Sequence, residues 1–177
     1  MRIIGGTYRG KSLDRVLKPT TRETADMVRE SVFNMLHPYQ YDQVLDLFSG
    51  SGAYGLEAIS RGSIHADLVD IDKDAILTIK RNVLSMKISD NVSIYHMSYD
   101  GFMSKISKTY DLIFLDPPYQ LDVYEDLLNK LSPSLSNDGK IVCESDKKRI
   151  LPDALNGLVK IKDKTYGIKR ITIYEKA

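Results

Sequence analysis

Along residues 43–144, short apolar runs alternate with longer amphipathic stretches. The runs at 43–48, 66–70, 92–96, 110–115 and 140–144 carry Val, Ile, Leu and aromatic residues between turn residues, as strands covered on both faces do. Between them apolar positions recur at helical spacing over 52–61, 73–86, a short stretch near 101–106 and 123–131, and a further helix is expected near 151–156. Gly62 stops the first of these helices. Strands alternating with helices predict an α/β fold, a doubly wound, mostly parallel sheet. The tail departs from that pattern: runs 158–164 and 169–175 flank Tyr166-Gly167 and read as a hairpin that adds an antiparallel strand. Residues 1–18 read as a short β-hairpin or extended arm. Val28, Val32 and Met35/Leu36 mark a helix over 23–36, with Thr20-x-x-Glu23 as its capping box and Pro38 as its stop. No repeat or long linker divides the chain, so residues 1–36 are expected to pack as an arm and helix on a single domain spanning 37–177.

In open parallel sheets, ligands sit at the carboxyl ends of strands, and Asp46, Asp70 and Asp116 all fall at such ends. Asp46 and Phe48 lead into Gly50-x-Gly52-x-x-Gly55, a strand–turn–helix pattern whose glycines permit a tight turn and close backbone approach to a ligand. Dinucleotide-binding folds share this spacing, so an NAD-dependent oxidoreductase is one reading. A carboxylate four residues ahead of Gly50 would repel a pyrophosphate. It would attract a cofactor carrying ammonium and sulfonium groups, and S-adenosylmethionine is such a cofactor. Asp46 is then placed for the methionine moiety, Asp70 (with Ile71 beside it) for the two ribose hydroxyls, and Gly50 and Gly52 for backbone lying against the cofactor.

Asp116-Pro117-Pro118-Tyr119 follows the apolar run 112–115. Two consecutive prolines fix φ twice and remove two N–H donors, so the loop offers only acceptors beside the carboxylate. An aromatic ring adjoins them. An exocyclic NH2 group on a nucleobase satisfies both features, donating hydrogen bonds and offering a face to stack on. A proline turn with Tyr119 as packing is the bland alternative. The pairing with the glycine motif favours the site.

The net charge of +1 hides an asymmetry. Residues 1–22 hold six basic residues against one acid, and residues 140–177 hold ten against five, which leaves nine against eighteen in the middle. Basic ends around an acidic centre suit a polyanion gripped from the flanks. Arg2, Tyr8, Arg9, Lys11 and Arg22 are the candidate nucleic-acid contacts, and Arg29 stands between phosphate contact and an ion pair with Asp26 or Glu30. Cys143 is the single cysteine, which excludes a disulfide framework within the chain and fits a reducing cytoplasm. His37, His65 and His96 have no ligand spacing, so no metal is expected. Neither a signal peptide nor a membrane span is read.

Taken together, residues 1–10 (Met-Arg-Ile-Ile-Gly-Gly-x-Tyr-Arg-Gly), the stretch from Arg22 to Asn34, the glycine motif and Asp116–Tyr119 resemble the RsmD family of class I S-adenosylmethionine-dependent methyltransferases. The resemblance spans nearly the whole chain. It implies a Rossmann-like class I sheet and methylation of N2 of one guanine in 16S ribosomal RNA, with S-adenosylhomocysteine as the product. It also implies that the substrate is a protein-bound small-subunit particle. Asp116, Pro117, Pro118 and Tyr119 become the catalytic loop, and the enzyme is expected to act as a monomer. The chain departs from the family at Glu23, where proline is usual, and after the third strand, where Ser98 and Asp100 both stand as candidates for the cofactor adenine. The Asp-Pro-Pro-Tyr loop is shared with DNA methyltransferases acting on adenine N6 or cytosine N4, which remain an alternative, as does a non-catalytic RNA-binding module.

Overall fold

The computed structural model describes residues 1–17 and 26–177. Lys18, Arg22 and the Thr20–Glu23 capping box lie outside them. In chain order the elements are α1 (Asp26–Met35), β1 (Gln43–Asp46), α2 (Ala53–Ser60), β2 (His65–Asp70), α3 (Lys73–Met86), β3 (Val92–His96), α4 (Tyr99–Met103), β4 (Tyr110–Leu115), α5 (Tyr124–Leu131), β5 (Leu135–Asp146), β6 (Ala154–Leu155), β7 (Leu158–Tyr166) and β8 (Lys169–Lys176). Together the strands form one eight-stranded sheet in the order β3-β2-β1-β4-β5-β8-β7-β6. Strands β1 to β5 run parallel, and β8, β7 and β6 continue the sheet antiparallel.

Side chains alternate along each strand, which deals neighbouring residues to opposite faces. Val44, Leu68, Leu112, Phe114 and Val142 join one core with α1, α2 and α3. Leu45, Val69, Ile113, Leu115 and Ile141 join the other with Phe102 of α4 and the Tyr124, Leu127, Leu128 and Leu131 stripe of α5. This two-sided burial is why the strand runs are apolar throughout rather than alternating. Local chemistry sets the ends of α3: the Asp72 carboxylate accepts from Asp74 N at 2.7 Å, and Lys87 closes the helix at φ 57.

One expected element differs. Residues 151–156 form a loop and the short β6. Pro152 supplies no N–H, and the left-handed pair Asn156 (φ 48) and Gly157 (φ 77) turns the chain sharply into β7. The amino-terminal arm doubles back on itself as expected: Arg2 bridges Ser12, Ile3 N donates to the Lys11 carbonyl at 2.9 Å, Gly10 N to the Ile3 carbonyl at 2.8 Å and Leu13 N to the Met1 carbonyl at 3.0 Å, while other amides of the arm go to α2. Ile4 N and Gly5 N donate to the Glu57 carboxylate at 2.9 and 2.8 Å, Thr7 N donates to the Ser60 carbonyl at 2.7 Å, and Tyr8 N donates to Ser60 Oγ at 2.9 Å. At Gly6 (φ 75) a Cβ would sit 1.8 Å from the Ser60 carbonyl oxygen, so this close approach requires glycine.

Candidate active site

Strand β1 is flanked by β2 on one side and β4 on the other, so the winding reverses between β1 and β4. A crevice opens at the carboxyl ends of strands at such a point. Here it is a cavity of about 640 Å³. The turn after β1 forms one wall. Ser49 Oγ donates to the Asp46 carbonyl at 2.6 Å and accepts from Val69 N at 2.9 Å, which ties the turn to both strands. Gly50 and Gly52 take φ 55 and 83. At Gly55 a Cβ would lie 2.2 Å from Leu68 Cδ2, so the third glycine of the motif lets α2 pack against β2.

Asp70 lines the cavity, and its carboxylate accepts from Gly50 N and Asp72 N, both at 2.8 Å. Burial raises its pKa, and these N–H groups oppose the rise. Phe48, Ile71 and Ser98 also face the cavity. Ser98 accepts from Gly101 N at 3.1 Å, capping α4. Asp100 is not on the wall; it is 64% exposed and points to Lys130 Nζ at 3.7 Å. Geometry therefore brings Ser98, and not Asp100, to the site.

Asp46 is also absent from the wall. It is 2% exposed, and its carboxylate accepts from Gly55 N at 3.1 Å. Burial outweighs that bond and, with help from Asp70 and Glu144, pushes its carboxyl up to about 7. The arrangement bears on the dinucleotide reading. A pyrophosphate in such folds takes the N–H groups of the glycine turn and the helix amino terminus. Here Asp70 holds Gly50 N and Asp46 holds Gly55 N. With these two amides taken by carboxylates, the turn suits a cationic cofactor without phosphates better than a pyrophosphate. Among the described residues no group of three His, Cys, Asp or Glu side chains could hold a metal ion.

The loop after β4 forms the opposite wall, where Asp116, Pro117, Pro118 and Tyr119 all line the cavity. Pro117 is buried and Pro118 exposed, and the Pro118 carbonyl accepts from Leu121 N at 2.8 Å, closing the loop. Burial holds the Asp116 carboxyl well above the usual range. Glu144 adds to that, Lys169 opposes it, and Asp46 adds further. Lys169, Tyr54 and Tyr99 share the cavity wall, and pattern reading singled out none of them. Tyr99 packs tilted against Phe48, with ring centroids 5.4 Å apart and planes at 44°. A lysine opening a hairpin strand carries no local sign that it faces a cavity.

On the arm, Arg2, Arg9 and Lys11 are exposed and Tyr8 half-buried, its ring against the core. Arg22 is outside the described residues. Arg29 takes the ion-pair alternative, with Asp26, and not the RNA contact. It is 0% exposed and pairs with Asp26 at 3.0 Å and Glu57 at 3.5 Å, and it donates to the Arg2 carbonyl. Its helix faces the core beneath the arm, so the guanidinium joins arm, α1 and α2 rather than reaching solvent.

A family model described as "Conserved hypothetical protein 95" matches residues 1–175. The Escherichia coli ribosomal RNA small subunit methyltransferase D is 35% identical over 155 residues, covering 86% of this chain and 78% of that protein. A Bacillus subtilis protein provisionally named an rRNA methyltransferase is 39% identical over 183 residues, covering 99% of both. A solved Escherichia coli structure, provisionally named a methyltransferase, superposes with a TM-score of 0.88 at 30% identity, covering 99% of this chain and 97% of that one. A doubly wound sheet with an Asp-Pro-Pro-Tyr loop facing a glycine turn, matched over 86–99% of the chain by these relatives, places the chain in the RsmD family.

Proposed function

We propose that the protein transfers a methyl group from S-adenosylmethionine to the exocyclic N2 amino group of a guanine in 16S ribosomal RNA. It acts as a cytoplasmic monomer on a small-subunit particle. The observation that carries the reading is the meeting of Asp116–Tyr119 with the Asp70–Gly50 turn across one cavity. The relatives named ribosomal RNA small subunit methyltransferase D support the substrate class.

When bound, S-adenosylmethionine supplies an electrophilic methyl group on a cationic sulfur. Asp70 accepts hydrogen bonds from the ribose hydroxyls, Ser98 lies toward the adenine, and Phe48 and Ile71 provide apolar surface. Asp46 acts from beneath, fixing the amino terminus of α2 through Gly55 N. The N2 lone pair of guanine is delocalised into the ring. Accepting both amino hydrogens, at the Asp116 carboxylate and the Pro117 carbonyl, favours a tetrahedral nitrogen whose lone pair points at the methyl group. Transfer would break the cofactor's C–S bond as the N–C bond formed, with the Asp116 and Pro117 acceptors holding the amino group until one N–H proton was lost to solvent. Because Pro117 and Pro118 lock the backbone, the acceptors are in place before reaction, where they stabilise positive charge developing on nitrogen. Holding both reactants in line lowers the barrier further. The base must leave its neighbours to enter, and Tyr119 offers it a stacking face worth about 1–3 kcal/mol. Arg2, Arg9 and Lys11 contact the phosphates.

The test is transfer of labelled methyl to small-subunit particles lacking the modification, followed by digestion and mass spectrometry. Labelled N2-methylguanosine is expected. Label in another base overturns the choice of guanine, and no label in particles, naked RNA or DNA overturns the enzyme reading. Asp116→Ala is expected to abolish transfer while S-adenosylhomocysteine affinity stays within a few-fold; wild-type turnover there removes Asp116 from the mechanism.

A further inference from the structure

Beneath the catalytic loop lies a buried charge cluster that the transfer step leaves unused. Lys169 opens β8, is 8% exposed, and shares the cavity wall with Asp116 and Tyr119. Its ammonium bonds the carboxylate of Glu144 on β5. Glu144 is 1% exposed, and its other oxygen accepts from Tyr54 Oη at 2.9 Å. Its backbone carbonyl accepts from Tyr124 Oη at 2.7 Å. The Tyr54 ring is itself stacked on Phe114, with centroids 4.6 Å apart and planes at 18°. Elements α2, α5 and β5 thus hold a lysine that would otherwise extend its head into water.

The surroundings of Asp116 are mainly acidic. Glu144 faces it from β5 and Asp46 from β1, with the phenols of Tyr119 and Tyr124 nearby, while Lys169 approaches from β8. Burial disfavours the Lys169 ammonium, but Glu144 and Asp116 outweigh burial and raise its pKa, so the lysine stays charged. A protonated Asp116 would aim an O–H donor at an amino group that is itself a donor.

We propose that Lys169, fixed by Glu144 and Tyr54, is a positioning residue that favours the ionised, hydrogen-bond-accepting form of Asp116. The inference rests on Asp116 accepting from the target amino group, as proposed above.

Three variants test it by single-turnover methyl transfer across pH: Lys169→Met, Lys169→Arg and Glu144→Gln. Lys169→Met and Glu144→Gln break the same ion pair, so a merely structural role moves both profiles alike. The charge argument moves them apart. Losing the cation raises the Asp116 pKa, so in Lys169→Met the rising limb moves up by about 1–3 pH units, and the rate lost at neutral pH returns at alkaline pH. In Glu144→Gln a repelling carboxylate is gone and the limb moves down. Lys169→Arg keeps the wild-type limb. Carboxyl-carbon NMR of cofactor-free protein reads the Asp116 midpoint without substrate. An unmoved midpoint in folded Lys169→Met, or shifts in the same direction in both variants, overturns the proposal. If Lys169→Met does not fold, an upward or absent shift in Glu144→Gln contradicts it equally. A wild-type protein that transfers no methyl group, while its Asp116 midpoint still rises in Lys169→Met, refutes the functional reading and leaves the charge arrangement standing.

Discussion

Replacing Glu57 with alanine would test how the arm is held on the domain. The Glu57 carboxylate is fully buried, accepts from Ile4 N at 2.9 Å and Gly5 N at 2.8 Å, and pairs with Arg61 at 2.8 Å and Arg29 at 3.5 Å. Arg29, also fully buried, keeps Asp26 and the Arg2 carbonyl as its partners among the described residues when Glu57 is gone. Removing one partner of a buried ion pair costs about 3–5 kcal/mol. The two arm amides lose their acceptors as well, but they are only part-buried, and water entering the vacated space offsets most of that. A net loss of about 4 kcal/mol is expected, a large share of the roughly 5–15 kcal/mol that holds a domain folded. For a chain of this size each kcal/mol lowers Tm by about 2–4 °C, so the melting point should fall by about 8–16 °C. Circular dichroism melts give the shift, and native-state hydrogen exchange at Ile4 and Gly5 reports whether the arm has come loose. Glu57→Gln should lose a similar amount, because it keeps the shape but not the charge opposite Arg29. A Tm for Glu57→Ala within about 3 °C of wild type, or undiminished protection at both amides, would refute the reasoning.

Asp46 supplies a pH signature. Its folded pKa of about 7 stands above the ordinary 3.8, so the folded state retains a proton that the unfolded chain gives up. Stability from this group therefore falls as pH rises from about 4 to about 7 and stays low above that. Asp46→Asn should remove the decline and gain about 2–4 kcal/mol at alkaline pH, read from urea midpoints; identical pH slopes in the two proteins contradict it. Tyr119→Phe should keep most activity, whereas Tyr119→Ala should lose about 5- to 150-fold in kcat/KM, and equal losses argue against stacking. Arg9→Ala combined with Lys11→Ala should weaken RNA binding and reduce its logarithmic salt slope by about 1–2, and an unchanged slope moves the RNA surface elsewhere.

Pattern reading recovered α3, β3 and β4 to the residue, and located the Asp116–Tyr119 loop and the Gly50 turn before any coordinates. Those features depend on neighbours a few positions away: apolar periodicity, the Asp72 cap, glycines at positive φ, and prolines that cannot donate. The antiparallel edge was only half legible. The hairpin was expected, but β6 was read as a helix because the apolar spacing near 151–156 also fits one, and the left-handed Asn156-Gly157 turn outweighed it.

The amino-acid order alone was enough for the alternating elements, the acceptor-only loop and the glycine turn, because each is written in contiguous residues. Only the folded chain decided which distant charges meet. Arg29 looked like a surface arginine until the arm and α2 closed over it and gave it Glu57. Ser98 and Asp100 are two residues apart, and the turn of α4 sends one to the cavity and the other to Lys130. Lys169 and Glu144 become partners because β8 inserts antiparallel beside β5, a pairing that no local spacing encodes. Sheet order is settled by the burial of whole faces, and with it comes the electrostatic setting of Asp116.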